Sequence, residues 1–320
     1  SKEVENLLDI SQASAARILR KMVDENIYSR LKKIQILVCA HKKDPNIRNE
    51  YPYKAIQVGK ALHPKEYFGY LCDNEGDNIS EKNSSYSEWT ALYWGWKNIH
   101  DTKYLGLCHY RRYFDIDITD ESIEKIMKNS DMIVIKQTYP MISKSERPLN
   151  LMIQTSKEDY YIFLDTLLEI HSSYKREILN YFYNSRTSFP YSMFIARKEL
   201  FDEFCEFIFP VLFSVEEKIK KHGYTRQRRV MGYLGEYSLG LFIACKHLRY
   251  YSVPLKFYSD KEIYPKNLTR YYVRKLKQFL WRYIYRIKEI GNSVPDETSL
   301  LPEDVKVGLK NDNIEMKVLQ

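Results

Sequence analysis

The sequence lacks several features that mark common classes of protein. No apolar run approaches the ~20 residues that a membrane-spanning helix requires, and no signal-peptide pattern opens the chain. The five cysteines form no CxxC pair and lie mostly in apolar runs, which is typical of reduced core thiols. Motifs for a P-loop, a Rossmann glycine fingerprint, a nucleophile elbow and paired zinc ligands are also missing. We therefore expect a cytoplasmic protein that uses none of these sites.

Positive charge is abundant in only one part of the chain. The 320 residues are 44% hydrophobic and 29% charged, which is a soluble globular composition, and the net charge is +8. Residues 261–290 hold nine Lys or Arg and two Glu, so the rest of the chain is nearly neutral. This uneven distribution argues against a general nucleic-acid surface.

The basic segment also has an amphipathic pattern. Residues 265–290 predict a helix with Leu276, Phe279 and Leu280 on one side and Lys or Arg over much of the remainder. This pattern is typical of a helix that lies on an anionic membrane surface. An RNA-binding helix is the alternative interpretation.

The amino-terminal region predicts two short helices. Residues 11–19 resemble the second helix of a helix-turn-helix, but no wing and no second basic element follow. These features favour a helical packing arm over a DNA-binding unit. The predicted organisation is therefore a helical arm at 1–30, a main domain at 31–258, and a basic helix with a polar tail at 259–320.

The main domain alternates apolar strands with helices. Strands are predicted at 34–40, 67–72, 104–108, 130–135 and 192–196. One helix is predicted to start near residue 55, and others are predicted at 89–96, 120–128, 156–184 and 198–221. This alternation predicts an α/β fold with a mainly parallel sheet flanked by helices. In such sheets, ligands bind beyond the carboxyl ends of the strands.

Two adjacent arginines follow one of these strands directly. The apolar run at 104–108 continues into His109, Tyr110, Arg111 and Arg112. Paired guanidinium groups suit a doubly charged anion such as a diphosphate, and a solvated basic turn is the alternative. Because alternate residues of an extended chain face opposite ways, we expect one arginine to point into the crevice and the other away.

Acidic residues at 73–77 and 88 allow more than one interpretation. Asp73, Glu75 and Asp77 alternate as hard oxygen ligands do, which suits a divalent metal such as Mn²⁺ or Mg²⁺, but Asp, Asn and Gly are also turn residues. We do not favour a metal there. Ser85 and Glu88 match a capping box, and the same helix start is suited to hold an anion while Glu88 orients a substrate hydroxyl.

A further cluster combines arginines, glycines and one carboxylate. Arg226, Arg228 and Arg229 precede Glu236, in a predicted helix that also carries three glycines. Because each glycine weakens a helix by about 1 kcal/mol relative to Ala, we expect other groups to approach this backbone closely. Glu236 is then a candidate general base, and an ordinary surface ion pair is the equal alternative.

Three blocks of the chain resemble a bacterial family of uncharacterised-domain glycosyltransferases from capsule, exopolysaccharide and O-antigen clusters. The first block is residues 36–42 together with residues 56–59. The second block, residues 73–114, contains the motifs YWGWKN and LGLCHYRRYF. The third block, residues 190–236, contains SMFIARKELFDEFCEFIF. The resemblance implies a GT-A-like fold with a Rossmann-type sheet. GT-A enzymes usually carry an Asp-x-Asp metal motif where this chain has residues 109–112. The family usually has Asn where this chain has Ser192.

The resemblance also implies an activity. It suggests inverting transfer of a hexose, galactose in furanose or pyranose form, from a UDP-sugar to a polyprenyl-diphosphate-linked oligosaccharide at the inner face of the plasma membrane. Glu236 is the first candidate for the base and Glu88 the second. From the residues themselves we expect arginine charge to replace a metal cofactor. Asp115 and Asp117 lie farther along the chain and keep a metal role open. The predicted donor-binding residues are Ala40, His41, Lys42, Asp77, Asn78, Asn83, His109, Tyr110, Arg111, Arg112 and Arg229.

Two other functions remain open at this point. One is a nucleic-acid-binding protein that uses the helix-turn-helix-like start and the basic tail. The other is a scaffold that binds a sugar nucleotide without catalysis.

Overall fold

The structure is a computed structural model that describes residues 33–135, 146–219 and 229–258, together with helical positions 272, 273, 276, 279 and 280. The predictions for the amino-terminal arm, for Arg226 and Arg228, and for most of the basic segment at 265–290 lie outside the described residues.

Nine strands and nine α-helices make up the described part of the chain. The strands are β1 (Ile34–Ala40), β2 (Tyr53–Gln57), β3 (Leu71–Cys72), β4 (Tyr104–His109), β5 (Arg112–Phe114), β6 (Met132–Ile135), β7 (Phe194–Arg197), β8 (Tyr250–Val253) and β9 (Leu255–Phe257). The helices are α1 (Asn83–Tyr86), α2 (Trp89–Asn98), α3 (Asp120–Met127), α4 (Glu146–Gln154), α5 (Lys157–Ile170), α6 (Lys175–Tyr183), α7 (Lys198–Lys218), α8 (Val230–Gly235) and α9 (Ser238–Lys246).

The strands form one sheet in the order β3-β2-β1-β4-β7-β6-β8, and β5 extends it by pairing with β4 and β9. Strand β7 runs antiparallel to both of its neighbours, β4 and β6, whereas the other strands along this path are parallel to one another. The predicted α/β fold with a mostly parallel sheet flanked by helices is therefore confirmed.

The core lies on both faces of this sheet, as the alternation of side chains along β1 shows. Ile34, Ile36 and Val38 belong to a smaller apolar cluster, on the face of the sheet that α3 covers. Leu37 and Cys39 face the larger cluster, which is formed mainly by α2 and the helices from α4 to α9. Both faces are covered, so β1 is apolar along nearly its whole length rather than alternating with polar residues.

The predicted helix start at 55–62 is wrong. Residues Tyr53–Gln57 form β2, which pairs with β1 and β3, and only a short 3-10 turn follows at Lys60–Leu62. A short apolar run does not distinguish a strand from a helix by its period, and here pairing with β1 decides. Gly59, which lies between β2 and this turn, has a φ of 69°, a conformation that glycine adopts readily. The strand predicted at 67–72 is limited to Leu71–Cys72.

No helix in the described ranges is both long enough and apolar enough to cross a bilayer.

Candidate active site

A cleft of about 520 Å³ opens at the carboxyl ends of β1, β2 and β4. Because these strands are parallel, their ends meet at one edge of the sheet, and the residues that follow them share one site. The cleft is lined by Cys39, His41, Val58, Asn83, Ser84, Ser87, Glu88, His109, Tyr110, Arg111, Arg112, Arg229 and Phe257.

Backbone strain is concentrated around this cleft. Ser87, Arg111, Tyr191 and Ser192 have φ values of 55°, 69°, 68° and 50°, in the left-handed region that side chains other than glycine rarely adopt. Ser87 and Arg111 line the cleft, and the other two follow each other where Tyr191 contacts His109. In the described ranges only one other non-glycine residue, His247, has a positive φ. Strained backbone conformations persist where the surrounding contacts hold them in place, and they are common at active sites.

Both arginines of the predicted tetrad line the cleft, which corrects the expectation that one would point away. The alternation of an extended chain does not apply here, since Arg111 has a left-handed φ and β5 begins only at Arg112. Arg111 donates from Nε to Asp44 Oδ2 at 2.6 Å. The guanidinium of Arg112 lies 4.3 Å from the ring centroid of Tyr191.

A third arginine reaches the cleft from a distant part of the chain. Arg229 donates from Nε to Ser87 Oγ at 2.7 Å, and its Nη2 lies 3.5 Å from Glu88 Oε2. Its side chain is more than half exposed, so its charge is available to a ligand. Three guanidinium groups therefore face one concave site.

The predicted capping box does not form. Ser85 lies within α1, and Ser87, at φ 55°, ends that helix before α2 begins. Glu88 itself is the residue before α2, and its side chain makes no capping hydrogen bond. Glu88 lines the cleft, and its Oε2 lies 3.5 Å from Arg229 Nη2.

Glycines bring the Glu236 region against the start of α2, as predicted. A Cβ at Gly235 would lie 2.4 Å from Trp89 Cε2, and one at Gly232 would lie 3.2 Å from Ser87 Oγ. Only glycine permits α8 to pack this closely. The approach brings Glu236, directly after α8, within electrostatic range of Glu88 and Arg229.

The protonation of Glu236 differs from that of an ordinary glutamate. Burial, followed by the charge of Glu88, raises the pKa of Glu236 to about 7, although Arg112 and Arg229 oppose the rise. Glu236 is partly exposed and is not among the residues that line the cleft. A carboxyl group with a pKa near neutrality is suited to accept a proton at physiological pH.

His109 contributes no positive charge to the site. Burial lowers the pKa of His109 to about 4, with Arg112 and Arg229 lowering it further against the opposing charge of Glu88. The neutral ring contacts the Tyr191 carbonyl at 2.7 Å through Nε2. A carbonyl only accepts hydrogen bonds, so we assign the proton to Nε2.

Several predicted donor-binding residues are not among those that line the cleft. Ala40 is buried at the end of β1, and Lys42 Nζ lies 5.9 Å from the Tyr110 ring without lining the cleft. Asp77 and Asn78 form a turn at the far end of α2, where Tyr93 donates to Asp77 at 3.1 Å. Their predicted contact with ribose or sugar has no geometric support.

The other predicted donor-binding residues line the cleft together. His41 and Tyr110 form an edge-to-face pair with ring centroids 5.0 Å apart. Asn83 donates to the Ser87 carbonyl at 2.7 Å, so it also supports the strained turn. The cleft thus combines aromatic rings, an amide and three guanidinium groups.

The acidic loop at 73–77 serves a structural role. Asp73 is fully buried and accepts four hydrogen bonds, from Gly59 N, Lys60 N, Ser80 Oγ and Thr90 Oγ1. Both of its oxygens are therefore occupied. Across the described ranges, no group of three or more His, Cys, Asp or Glu side chains is arranged to hold a metal ion.

Sequence reasoning missed Asp44, Ser87 and Tyr191 as parts of the site. Asp44 lies 67 residues from Arg111, and no local pattern connects the two. Ser87 and Tyr191 matter through backbone conformation, which leaves little trace in residue types.

Comparisons with known proteins agree with this architecture. Residues 35–247 match the family model described as a domain of unknown function, DUF4422. No protein with curated annotation matches the chain. The fold is similar to a solved apo structure of WbbM, a bifunctional glycosyltransferase, with a TM-score of 0.61 and 24% sequence identity.

The similarity to WbbM is a similarity of fold, and it covers part of this chain and part of WbbM. The match includes 73% of this chain and 48% of WbbM, so the chain spans about half the length of that protein. The family model, in contrast, covers most of the described sheet and the whole cleft except Phe257. The chain therefore belongs to the DUF4422 family.

Proposed function

We propose that this protein is a glycosyltransferase that takes its sugar from a UDP-sugar. The observation that carries the proposal is the convergence of Arg111, Arg112 and Arg229 on one cleft at the carboxyl edge of the sheet. Guanidinium groups bind phosphate oxygens through two parallel N–H donors, which suits a diphosphate. The fold it shares with WbbM, a bifunctional glycosyltransferase, supports the same conclusion.

The reaction needs a base and a stabilised leaving group. In an inverting displacement, the acceptor hydroxyl oxygen attacks the anomeric carbon while the bond from that carbon to the UDP oxygen breaks. The hydroxyl proton passes to a carboxylate, and the electron pair of the broken bond leaves on UDP. The arginines would stabilise the negative charge that develops on the diphosphate, in place of a metal ion.

Glu236 is the preferred base because its pKa, about 7, is close to the working pH. Glu88 is the second candidate, since it lines the cleft directly. Its side chain forms an ion pair with Arg229 at 3.5 Å.

The proposed acceptor is an oligosaccharide on polyprenyl diphosphate, and the proposed donor sugar is galactose, in either ring form. A role in capsule or O-antigen synthesis at the inner face of the plasma membrane follows from this acceptor. A screen by thermal shift against UDP, GDP, CDP and dTDP sugars tests the donor. A ligand at a hundredfold excess over its Kd adds about 2.7 kcal/mol of stability, and no response to any of the four would contradict the proposal.

The exposed apolar stripe after position 270 supports membrane attachment. Tyr272, Val273, Leu276, Phe279 and Leu280 are 45% to 66% exposed. Their spacing places them on one side of a helix, and residues 261–290 are rich in Lys and Arg. An anionic membrane surface would cover the apolar side and attract the basic residues.

Replacing Leu276 and Phe279 together with Asp should abolish cosedimentation with liposomes that contain anionic lipid. Each substitution removes apolar area and adds a charge that the membrane repels. Leu62→Asp is the matched control, since Leu62 is also exposed but lies in the turn after β2. Unchanged cosedimentation of the double variant would contradict the membrane assignment, and salt-dependent RNA binding instead would favour the nucleic-acid alternative.

The raised pKa of Glu236 also predicts a dependence of stability on pH. The folded protein favours neutral Glu236, so this contribution to stability is complete below pH 4.5 and is lost as the pH rises through about 7. Glu236→Gln removes the titration. The free energy of unfolding of the variant, relative to wild type, should therefore rise between pH 5 and pH 8 by at most about 3 kcal/mol. Urea unfolding at the two pH values measures this, and a constant difference would contradict it.

A further inference from the structure

The carboxylate that holds Arg111 is almost completely buried. The side chain of Asp44 is 3% exposed, and its Oδ2 accepts from both Nε and Nη2 of Arg111 at 2.6 Å. Its Oδ1 accepts from the backbone N and from Nδ2 of Asn46, each at 3.0 Å. Four N–H donors therefore fix this carboxylate.

The loop that carries Asp44 is anchored independently of Arg111. Tyr113, in β5, donates to the Asn46 carbonyl at 2.9 Å and accepts from Arg48 N at 3.0 Å. Tyr113 is buried, so these bonds tie the loop firmly to the sheet. Asp44 is thus held in place before it contacts the arginine.

The backbone of Arg111 is fixed by the residue that follows β9, the neighbouring strand of β5. Its carbonyl accepts from Tyr258 N at 2.8 Å, and its φ of 69° directs the side chain into the cleft. The side chain is 29% exposed, compared with 3% for Asp44. The carboxylate therefore lies behind the guanidinium, on the side away from solvent.

We infer that Asp44 is a positioning residue for the diphosphate subsite, which orients Arg111 toward the phosphate oxygens of the nucleotide. This inference rests on the proposed function. Asp44 would not touch the nucleotide itself. Its action would be to hold a long side chain, which has many rotamers, in one binding orientation before the ligand arrives.

If only net charge mattered, removing Asp44 would strengthen the binding of UDP. The carboxylate partly neutralises Arg111, so its loss would make the cleft more positive and increase its attraction for an anion. If orientation dominates, the loss of Asp44 weakens binding despite the added positive charge. The sign of the change in affinity therefore separates positioning from charge compensation.

Isothermal titration calorimetry with UDP tests this on five variants, one of them the Arg111→Ala background, and on the wild type. Asp44→Asn should weaken UDP binding about tenfold, while Asp44→Asn in an Arg111→Ala background should change it less than twofold. Arg111→Lys retains the charge but offers a single nitrogen, and it should lose affinity about as Asp44→Asn does. Asp131→Asn is the matched control, because Asp131 pairs with Arg249 at the opposite edge of the sheet and should bind UDP normally.

Each outcome has one meaning. Equal or tighter UDP binding by Asp44→Asn, or additive effects in the double variant, would overturn the positioning role while the proposed function stands. An absence of UDP binding by the wild type would overturn both. If Asp44→Asn does not fold, as judged by circular dichroism and thermal unfolding, the Arg111→Lys comparison decides, and wild-type affinity for UDP in that variant would overturn the role.

Discussion

Glu236→Gln is expected to lower the rate of sugar transfer by about 10²–10⁴-fold, which is the contribution of a general base. The substitution preserves size and hydrogen bonding but removes the proton acceptor. Because Glu236 is not among the residues that line the cleft with the three arginines, UDP affinity should stay within about twofold. The measurement is single-turnover transfer from a radiolabelled UDP-sugar, paired with calorimetry of UDP.

Two controls make this result specific. Glu203→Gln replaces a half-exposed carboxylate of α7 that pairs with Lys246, and it should retain full activity. Glu88→Gln tests the second candidate at the same time. Wild-type turnover of Glu236→Gln, together with an inactive Glu88→Gln, would transfer the role of base to Glu88.

The rate should also follow the ionisation of Glu236. As a base, this group must be deprotonated, so kcat should rise with pH through about 7 and then level off. Combined with the stability prediction, this means that the protein loses some stability over the same pH range in which it gains activity. A group that is tuned for catalysis commonly has this cost.

Arg112→Ala is expected to have the largest effect on nucleotide binding, about 100-fold in the Kd for UDP. Arg112 Nε is buried and has no hydrogen-bond partner among the residues that the structure describes. Its guanidinium lies against the Tyr191 ring rather than in a close ion pair such as the one between Arg111 and Asp44. A phosphate oxygen would satisfy this donor, and a charged hydrogen bond of this kind contributes about 1.5–3 kcal/mol.

The loss of UDP affinity in Arg112→Ala should exceed the loss in Arg111→Ala. Arg111→Ala should weaken UDP binding only about tenfold, because Asp44 already compensates that guanidinium. Arg249→Ala, at an exposed ion pair far from the cleft, should have no effect. Calorimetry in buffer of low ionic strength gives all three values, and equal losses for Arg111→Ala and Arg112→Ala would contradict the difference in roles.

The sequence predicts the position of the cleft well, and the reason is physical. The buried run at 104–108 is long and apolar enough to identify β4, and a parallel sheet leaves only one edge where His109–Arg112 can contribute to a site. Three glycines near Glu236 likewise predict close contacts, which the structure shows against Ser87, Trp89 and Tyr181.

Details that depend on tertiary context are not accessible from the sequence. Strand β2 is stabilised by pairing on both sides, which overrides a weak local pattern. The positive φ values of Ser87 and Arg111 are backbone conformations that neither residue type favours. Asp77 and Asn78 look like ligands by composition, yet their side chains complete a turn beside α2.

A crystal structure of the complex with UDP, grown in the presence of EDTA, tests whether the arginines bind the diphosphate without a metal ion. We expect diphosphate oxygens within about 3 Å of the Arg112 guanidinium, with Arg111 or Arg229 as a second ligand and no metal ion between them. A diphosphate bound away from all three arginines would contradict the account. So would a complex that forms only with manganese held by acidic side chains.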